Sequence, residues 1–180
     1  MPSAWQVFPG TFPGMRFRPA TPEDATALAD FFAALATAGN ERVFHPHPLT
    51  HEAARAICHH RALAQGSVCD EYHIAIETSG TSGSGPVVGY GILRGWAEGF
   101  SVPSLGIAVH PDHRGRGIAR RLMAHLHAVA ARRGAERVRL KVYRHNTQAL
   151  GLYESLGYEF EPHSETELLG FFAITHPVAA

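Results

Sequence analysis

Residues 106–123 read GIAVHPDHRGRGIARRLM. The apolar stretch Leu105 to Val109 runs into His110-Pro111, where proline ends a strand because it has no N–H for the ladder. Farther on, Ile118, Ala119, Leu122, Met123, Leu126, Val129 and Ala130 recur at helical spacing, and Gly134 closes the run. Between strand and helix stands Arg114-Gly115-Arg116-Gly117-Ile118-Ala119. The first N–H groups of a helix have no partners within it and lie at the positive end of its dipole. Gly115 and Gly117 place no Cβ where backbone must approach a ligand, while Arg114, Arg116, Arg120 and Arg121 add positive charge. Strand, glycine-arginine turn and helix together predict a phosphate or pyrophosphate site. The alternative is a solvated basic helix start with no ligand.

Other phosphate motifs fit less well. No G-x-x-x-x-G-K-[ST] run exists. A dinucleotide fingerprint needs three spaced glycines near the start of a βαβ unit and an acid about twenty residues on. Here the run is G-x-G-x-A, it falls past the middle of the chain, and Glu136 precedes a strand.

Outward from this centre the elements alternate. Val138, Leu140 and Val142 predict the next strand, Asn146–Leu156 a helix ended by Gly157, and 158–161 and 167–175 two last strands. Toward the N-terminus, 87–93 and 72–76 form a hairpin joined by the Gly/Ser-rich stretch 79–86, which reads otherwise as an interdomain linker. Helices are expected from Thr21-Pro22 to Gly39 and from Thr50 over 51–65, each with an acid in its first turn. Residues 15–19 form a first strand and 1–14, rich in proline, an N-terminal arm; 15–180 make one domain.

Composition narrows the function. The 180 residues carry 16 basic and 16 acidic side chains, so no nucleic-acid partner is expected, nor any membrane span. Cys58 and Cys69 read as reduced thiols, and the absence of a leader pattern in the first residues suggests a cytoplasmic protein. His45, His47 and His51 lack the H-E-x-x-H spacing, and His59 and His60 point to different helix faces, so no metal is expected.

The quoted segment resembles the GNAT superfamily of N-acetyltransferases, whose [RQ]-x-x-G-x-[GA] motif is matched by Arg114, Gly117 and Ala119. Downstream, Asn146, Ala149, Tyr153, Gly157 and Tyr158 match N-x-x-A-x-x-x-Y-x-x-x-G-[FY]. The resemblance is clear over residues 87–162. It implies an α/β (α+β) GNAT fold: a mixed central sheet of six to seven strands with a splayed central pair, flanked by about four helices. It also implies acetyl-CoA as donor. Backbone of Ile107, Ala108 and Val109 would pair with the pantetheine arm, and the N–H groups of Arg114, Gly115, Arg116, Gly117, Ile118 and Ala119 would bind the pyrophosphate. Asn146 would bind the pantetheine region, cap its helix, or both. Tyr153 would protonate the leaving thiolate, or else be a buried aromatic with a satisfied hydroxyl.

An alkyl ammonium has a pKa near 10, so the attacking amine must lose a proton. Family members often use a glutamate on the strand before the turn, but Ser104–Val109 carries no acid. Glu98, in the loop of Trp96 and Phe100, is the first candidate base and His110 the second; water or the substrate itself could also take the proton. The expected acceptor is a small-molecule primary amine. The stretch 94–111 resembles GNAT members acting on amino sugars, while a peptide N-terminus, polyamine or antibiotic stays open. The rival reading is an inactive acyl-CoA-binding module. The chain is expected to be a monomer or homodimer, with residues 40–50 walling the acceptor side.

Overall fold

A computed structural model describes residues 14–64, 68–78 and 85–174. The arm through residue 13, most of the Gly/Ser stretch, Gln65-Gly66 and Thr175 lie outside them. The apolar alternations become seven strands: β1 (Met15–Pro19), β2 (Glu71–Glu77), β3 (Val87–Arg94), β4 (Ser104–Val109), β5 (Arg137–Tyr143), β6 (Glu159–Pro162) and β7 (Glu167–Ala173). They form one sheet in the order β1-β2-β3-β4-β5-β7-β6, antiparallel except for β4 and β5. Four α-helices flank it: α1 (Ala25–Thr37), α2 (His51–Leu63), α3 (Ile118–Arg132) and α4 (Thr147–Leu156).

Local chemistry sets the helix ends. The first helix was expected to start at Pro22, but Pro22–Asp24 winds as a 3-10 turn before α1. Asp24 causes this tight entry by accepting from both the backbone N–H and the hydroxyl of Thr21 at 2.8 Å, while Arg18 grips its carboxylate. Thr50 Oγ1 accepts from the Ala53 N–H at the start of α2. The α4 helix ends where Gly157 turns left-handed at φ 93°.

Two apolar layers hold the sheet. On one face Leu28, Phe31, Phe32 and Leu35 of α1 and Ile57 of α2 cover Ile74, Tyr90 and Ile92. On the other, Leu122, Met123 and Leu126 of α3 pack on Leu93, Leu105, Val138 and Leu140. Each such side chain contributes roughly 1.5–3 kcal/mol on burial, so both layers are needed to fix the sheet. Between β4 and β5 the ladder fails. They pair only at Ser104 and Arg139, with the Arg139 N–H donating to the Pro103 carbonyl at 3.0 Å, and then diverge.

A buried polar group fastens β2 to both layers. Glu71 accepts from Arg61 of α2 at 2.6 Å, from Arg133 after α3 at 2.9 Å and from His73 Nε2 at 3.1 Å. His125 Nε2 of α3 is in turn hydrogen-bonded to His73 Nδ1 at 2.8 Å. Burial alone would raise the Glu71 carboxyl, but the His73 bond and the two guanidinium groups outweigh it and hold the group at about 2. A depressed folded value supplies stability above the ordinary pKa near 4.3 and loses it as pH falls toward 2. Glu71→Gln is therefore expected to cost up to about 3 kcal/mol at pH 7. It should also flatten the fall of thermal midpoint below pH 4.5; an unchanged acid limb would refute this role.

Candidate active site

The divergence of β4 and β5 opens a cavity of about 520 Å³ through the sheet. Leu105 to Val109 form one wall, and Lys141 and Val142 the other. Tyr153, Leu152, Asn146 and Ala149 of the α4 region close the helix side, and Gly39, Asn40, Val43 and Phe44 the opposite side. Beyond Ser104 the β5-facing edge of β4 has no ladder partner among the described residues. It therefore offers backbone to an extended ligand, the position anticipated for Ile107, Ala108 and Val109.

At the open end lies the glycine-arginine turn. Gly115 and Gly117 stand at φ 74° and 72°, and a Cβ on either would meet no atom within 4 Å. The surface above the turn is thus open, and a left-handed backbone there is strained for any residue with a Cβ. The first helical bond runs from the Arg121 N–H to the Gly117 carbonyl at 3.2 Å, so the N–H groups of Ile118, Ala119 and Arg120 remain for an anion. The Arg114 N–H instead turns back toward Pro111 O at 3.5 Å. Side chains divide as well. Arg114 donates to Asn40 Oδ1 at 2.8 Å and Arg120 to Ser155 Oγ at 2.6 Å, both beside the cavity. Arg116, expected as mobile charge at the turn, is drawn away to Glu77 at 2.5 Å and His113 at 2.7 Å, because that carboxylate lies on the far side of the turn. Only its backbone stays with the turn.

Asn146 caps α4, its Oδ1 accepting from the Ala149 N–H at 3.2 Å, and the same residue lines the cavity. Tyr153 is 8% exposed and packs on Tyr158 with ring centroids 5.5 Å apart. Its hydroxyl has no hydrogen-bond partner among the described residues, yet it is not among the fully enclosed unpaired atoms, so it reaches the cavity. Burial pushes the phenol up to about 12, which keeps it protonated at neutral pH.

The anticipated bases are placed apart from this centre. Glu98 sits exposed on the turn after β3, where Asp70 Oδ1 accepts from the Gly95 N–H at 2.8 Å. That turn adjoins the closed end of the split, and Glu98 does not line the cavity. His110 does not line it either; its Nδ1 accepts from the Asp112 N–H at 3.3 Å and its ring packs on Phe31. Among the described residues no carboxylate lines the cavity. Glu98→Gln is accordingly expected to leave the pH dependence of kcat/KM unchanged within about twofold; loss of the acid limb would restore it as base. Sequence reasoning did not single out Asn40, Phe44 or Lys141. Lys141 alternates outward between buried Leu140 and Val142, a pattern that marks orientation but no role.

The Acetyltransferase (GNAT) family model matches residues 36–158, most of the chain. The chain belongs to the GNAT family. It is an acetyltransferase. Among similar solved structures is yncA from Salmonella typhimurium with its cofactor acetyl-CoA, at 20% identity, 92% of this chain and 97% of that one, and TM-score 0.69. The GNAT domain of S. lividans PAT shares 25% identity over 88% and 90% of the two chains, with TM-score 0.70. The ribosomal-protein-S18-alanine N-acetyltransferase of Escherichia coli shares 20% identity over 91% and 96%, with TM-score 0.61. Cys58 and Cys69 are unbridged, and among the described residues no histidine, cysteine and carboxylate group could hold a metal. No described helix is long and apolar enough to cross a membrane.

Proposed function

We propose that this GNAT enzyme acetylates the primary amine of a small molecule by direct attack on the thioester, with the amino-sugar class as one acceptor type. The single observation that carries this is the roofed split. Residues 39–49 are pinned across it from three sides: Arg114 donates to Asn40, Arg94 Nη1 donates to the Pro46 carbonyl at 2.8 Å, and the Tyr143 hydroxyl lies 3.3 Å from His45 Nε2. A roof tied down at both walls leaves a narrow approach rather than an open groove for a protein chain.

The residues fit the donor. Open N–H groups and Arg114 and Arg120 suit a pyrophosphate, the unpaired edge of β4 suits the amide-bearing arm, and Asn146 stands between them. When bound, acetyl-CoA supplies an activated acyl carbon. The amine nitrogen forms the new C–N bond as the C–S bond breaks; one proton ends on the sulfur and an acceptor that starts as ammonium releases one more to solvent. Tyr153 donates its hydroxyl hydrogen toward the departing sulfur, and backbone N–H of β4 steadies the carbonyl oxygen. With no carboxylate in the cavity, the amine proton leaves through water or through the acceptor itself. Thiol release over a panel of small amines and short peptides tests this reading. Turnover with small amines above that with peptides is expected. Turnover confined to peptides would favour a peptide N-acetyltransferase, and donor binding with no turnover a binding module.

A further inference from the structure

On the roofed face of the sheet one line of residues crosses the closed end of the split. Arg94 of β3 pairs with Ser104 of β4, Ser104 with Arg139 of β5, Arg139 with Phe171 of β7, and Phe171 with Glu159 of β6. Residues in register share a face, so Arg94 and Arg139 stand on either side of the small Ser104. One step toward the open end, Lys141 follows Arg139 on the same face and Gly106 follows Ser104. A Cβ at Gly106 would come within 3.1 Å of Ile92 and 3.4 Å of Phe44, so those two side chains close over the glycine and bound the site on its open side.

The three cations have little to neutralise them. Among the described residues neither Arg94 nor Arg139 has a carboxylate within 4.0 Å, and Lys141 has only Glu167 at 3.8 Å. Glu159 and Glu161 lie two strands away, beyond Phe171 and Leu169. Arg139 rests over the Phe100 ring at 5.6 Å and Arg94 is tethered to the roof, so both guanidinium groups are oriented before any ligand arrives. Lys141 lines the cavity while the turn that suits the pyrophosphate lies at its other end. These charges are therefore separate from those at Arg114 and Arg120.

We infer that the acceptor is an amine that also carries an anionic group, a carboxylate or a phosphate, held by Arg139, Lys141 and Arg94 at the closed end of the split. The inference rests on the acetyltransferase reading above and names its substrate class. Planar guanidinium groups with no carboxylate partner suit either oxyanion, and Arg94 and Arg139 flank the closed end of the split just outside the cavity lining that Lys141 joins. Anchoring the anion there leaves the amine end of the acceptor toward the cavity, which contains Tyr153.

The test compares matched amines on the full chain with saturating acetyl-CoA: O-phosphoethanolamine against ethanolamine, and γ-aminobutyrate against butylamine. The anionic member of at least one pair should show kcat/KM at least about tenfold higher, and which pair responds separates phosphate from carboxylate. Arg139→Gln should collapse that ratio toward one through KM, Arg139→Lys should keep most of it, and acetyl-CoA affinity should hold in both. Equal use of charged and neutral members, or equal loss on both in Arg139→Gln, overturns the inference. If no probe turns over, calorimetric titration of O-phosphoethanolamine and γ-aminobutyrate into the CoA-saturated protein decides. Binding weakened in Arg139→Gln supports the inference, and identical or absent binding refutes it. Failure of acetyl-CoA itself to bind refutes the acetyltransferase reading instead, and the same two probes titrated into the unliganded protein then read the cation group on its own.

Discussion

Replacing Gly117 with glutamate is expected to abolish acetyl-CoA binding, by at least about a thousandfold in Kd. Three effects act in the same direction. Gly117 sits at φ 72°, a conformation that costs an L-residue roughly 1–2 kcal/mol. The space above it is open, so the new side chain would stand where the anion must lie. Its carboxylate would then take up the N–H groups of Ile118 and Ala119 and repel a pyrophosphate. Gly117→Ala carries only the strain, so it should lose far less affinity. Combining Arg114→Glu with Gly117→Glu removes the Asn40 tie as well and should add no measurable further loss. Calorimetry on the three variants reads this directly. Near wild-type affinity in Gly117→Glu would remove the turn from the donor site, whatever happened to activity.

That prediction draws on the part of the site that was legible in the sequence, and the reason is locality. Strand, turn and helix start lie within residues 105–123, and their chemistry depends on neighbours in the chain. Element order was readable for the same reason, since 3.6- and 2-residue periodicities are local. The split was different. Leu105–Val109 and Val138–Val142 alternate as any paired strands do, and only the resemblance to GNAT proteins implied that they part. Their divergence is a relation between strands about thirty positions apart, with a single register pair left at Ser104 and Arg139. The placement of Glu98 was hidden on the same account. Its nearness in sequence to β4 gave no sign that the turn sits at the closed end of the split. Arg116 looked equivalent to Arg114 until Glu77, 39 positions away, took it.

The charge distribution also needed the fold. Net charge is zero, yet the charged or basic side chains at the cavity are His113, Arg114, Arg120 and Lys141. The acids are spent elsewhere: Asp24 on Arg18, Glu71 on Arg61 and Arg133, Glu77 on Arg116. The cavity lining is positive because no described carboxylate is part of it, although Glu167 comes within 3.8 Å of Lys141. Such a site attracts an anionic donor, and salt should weaken the encounter.

Tyr153→Phe is expected to lower kcat by about a hundredfold or more while leaving acetyl-CoA affinity within about twofold. The ring is already buried against Tyr158, and phenylalanine keeps that packing, so the fold and the donor cleft should be preserved. What is lost is one hydroxyl with no partner among the described residues. Its proton affinity shapes the role. Burial raises the phenol to about 12, whereas an ordinary thiol titrates near 8.5. Full transfer from phenol to thiolate is then uphill by about 5 kcal/mol if it stands alone. The hydroxyl therefore acts first as a hydrogen-bond donor to negative charge as it grows on sulfur, an interaction stronger in the transition state than in the ground state. The proton reaching sulfur is balanced by the one the amine gives up. Two consequences separate this from a purely structural role. The kcat of the wild type should show no basic limb attributable to the phenol below about pH 10, since it stays protonated. An acyl donor with a more acidic thiol should suffer less from Tyr153→Phe, because its leaving group needs less stabilisation. Equal loss with both donors would mean the hydroxyl does not touch the departing sulfur.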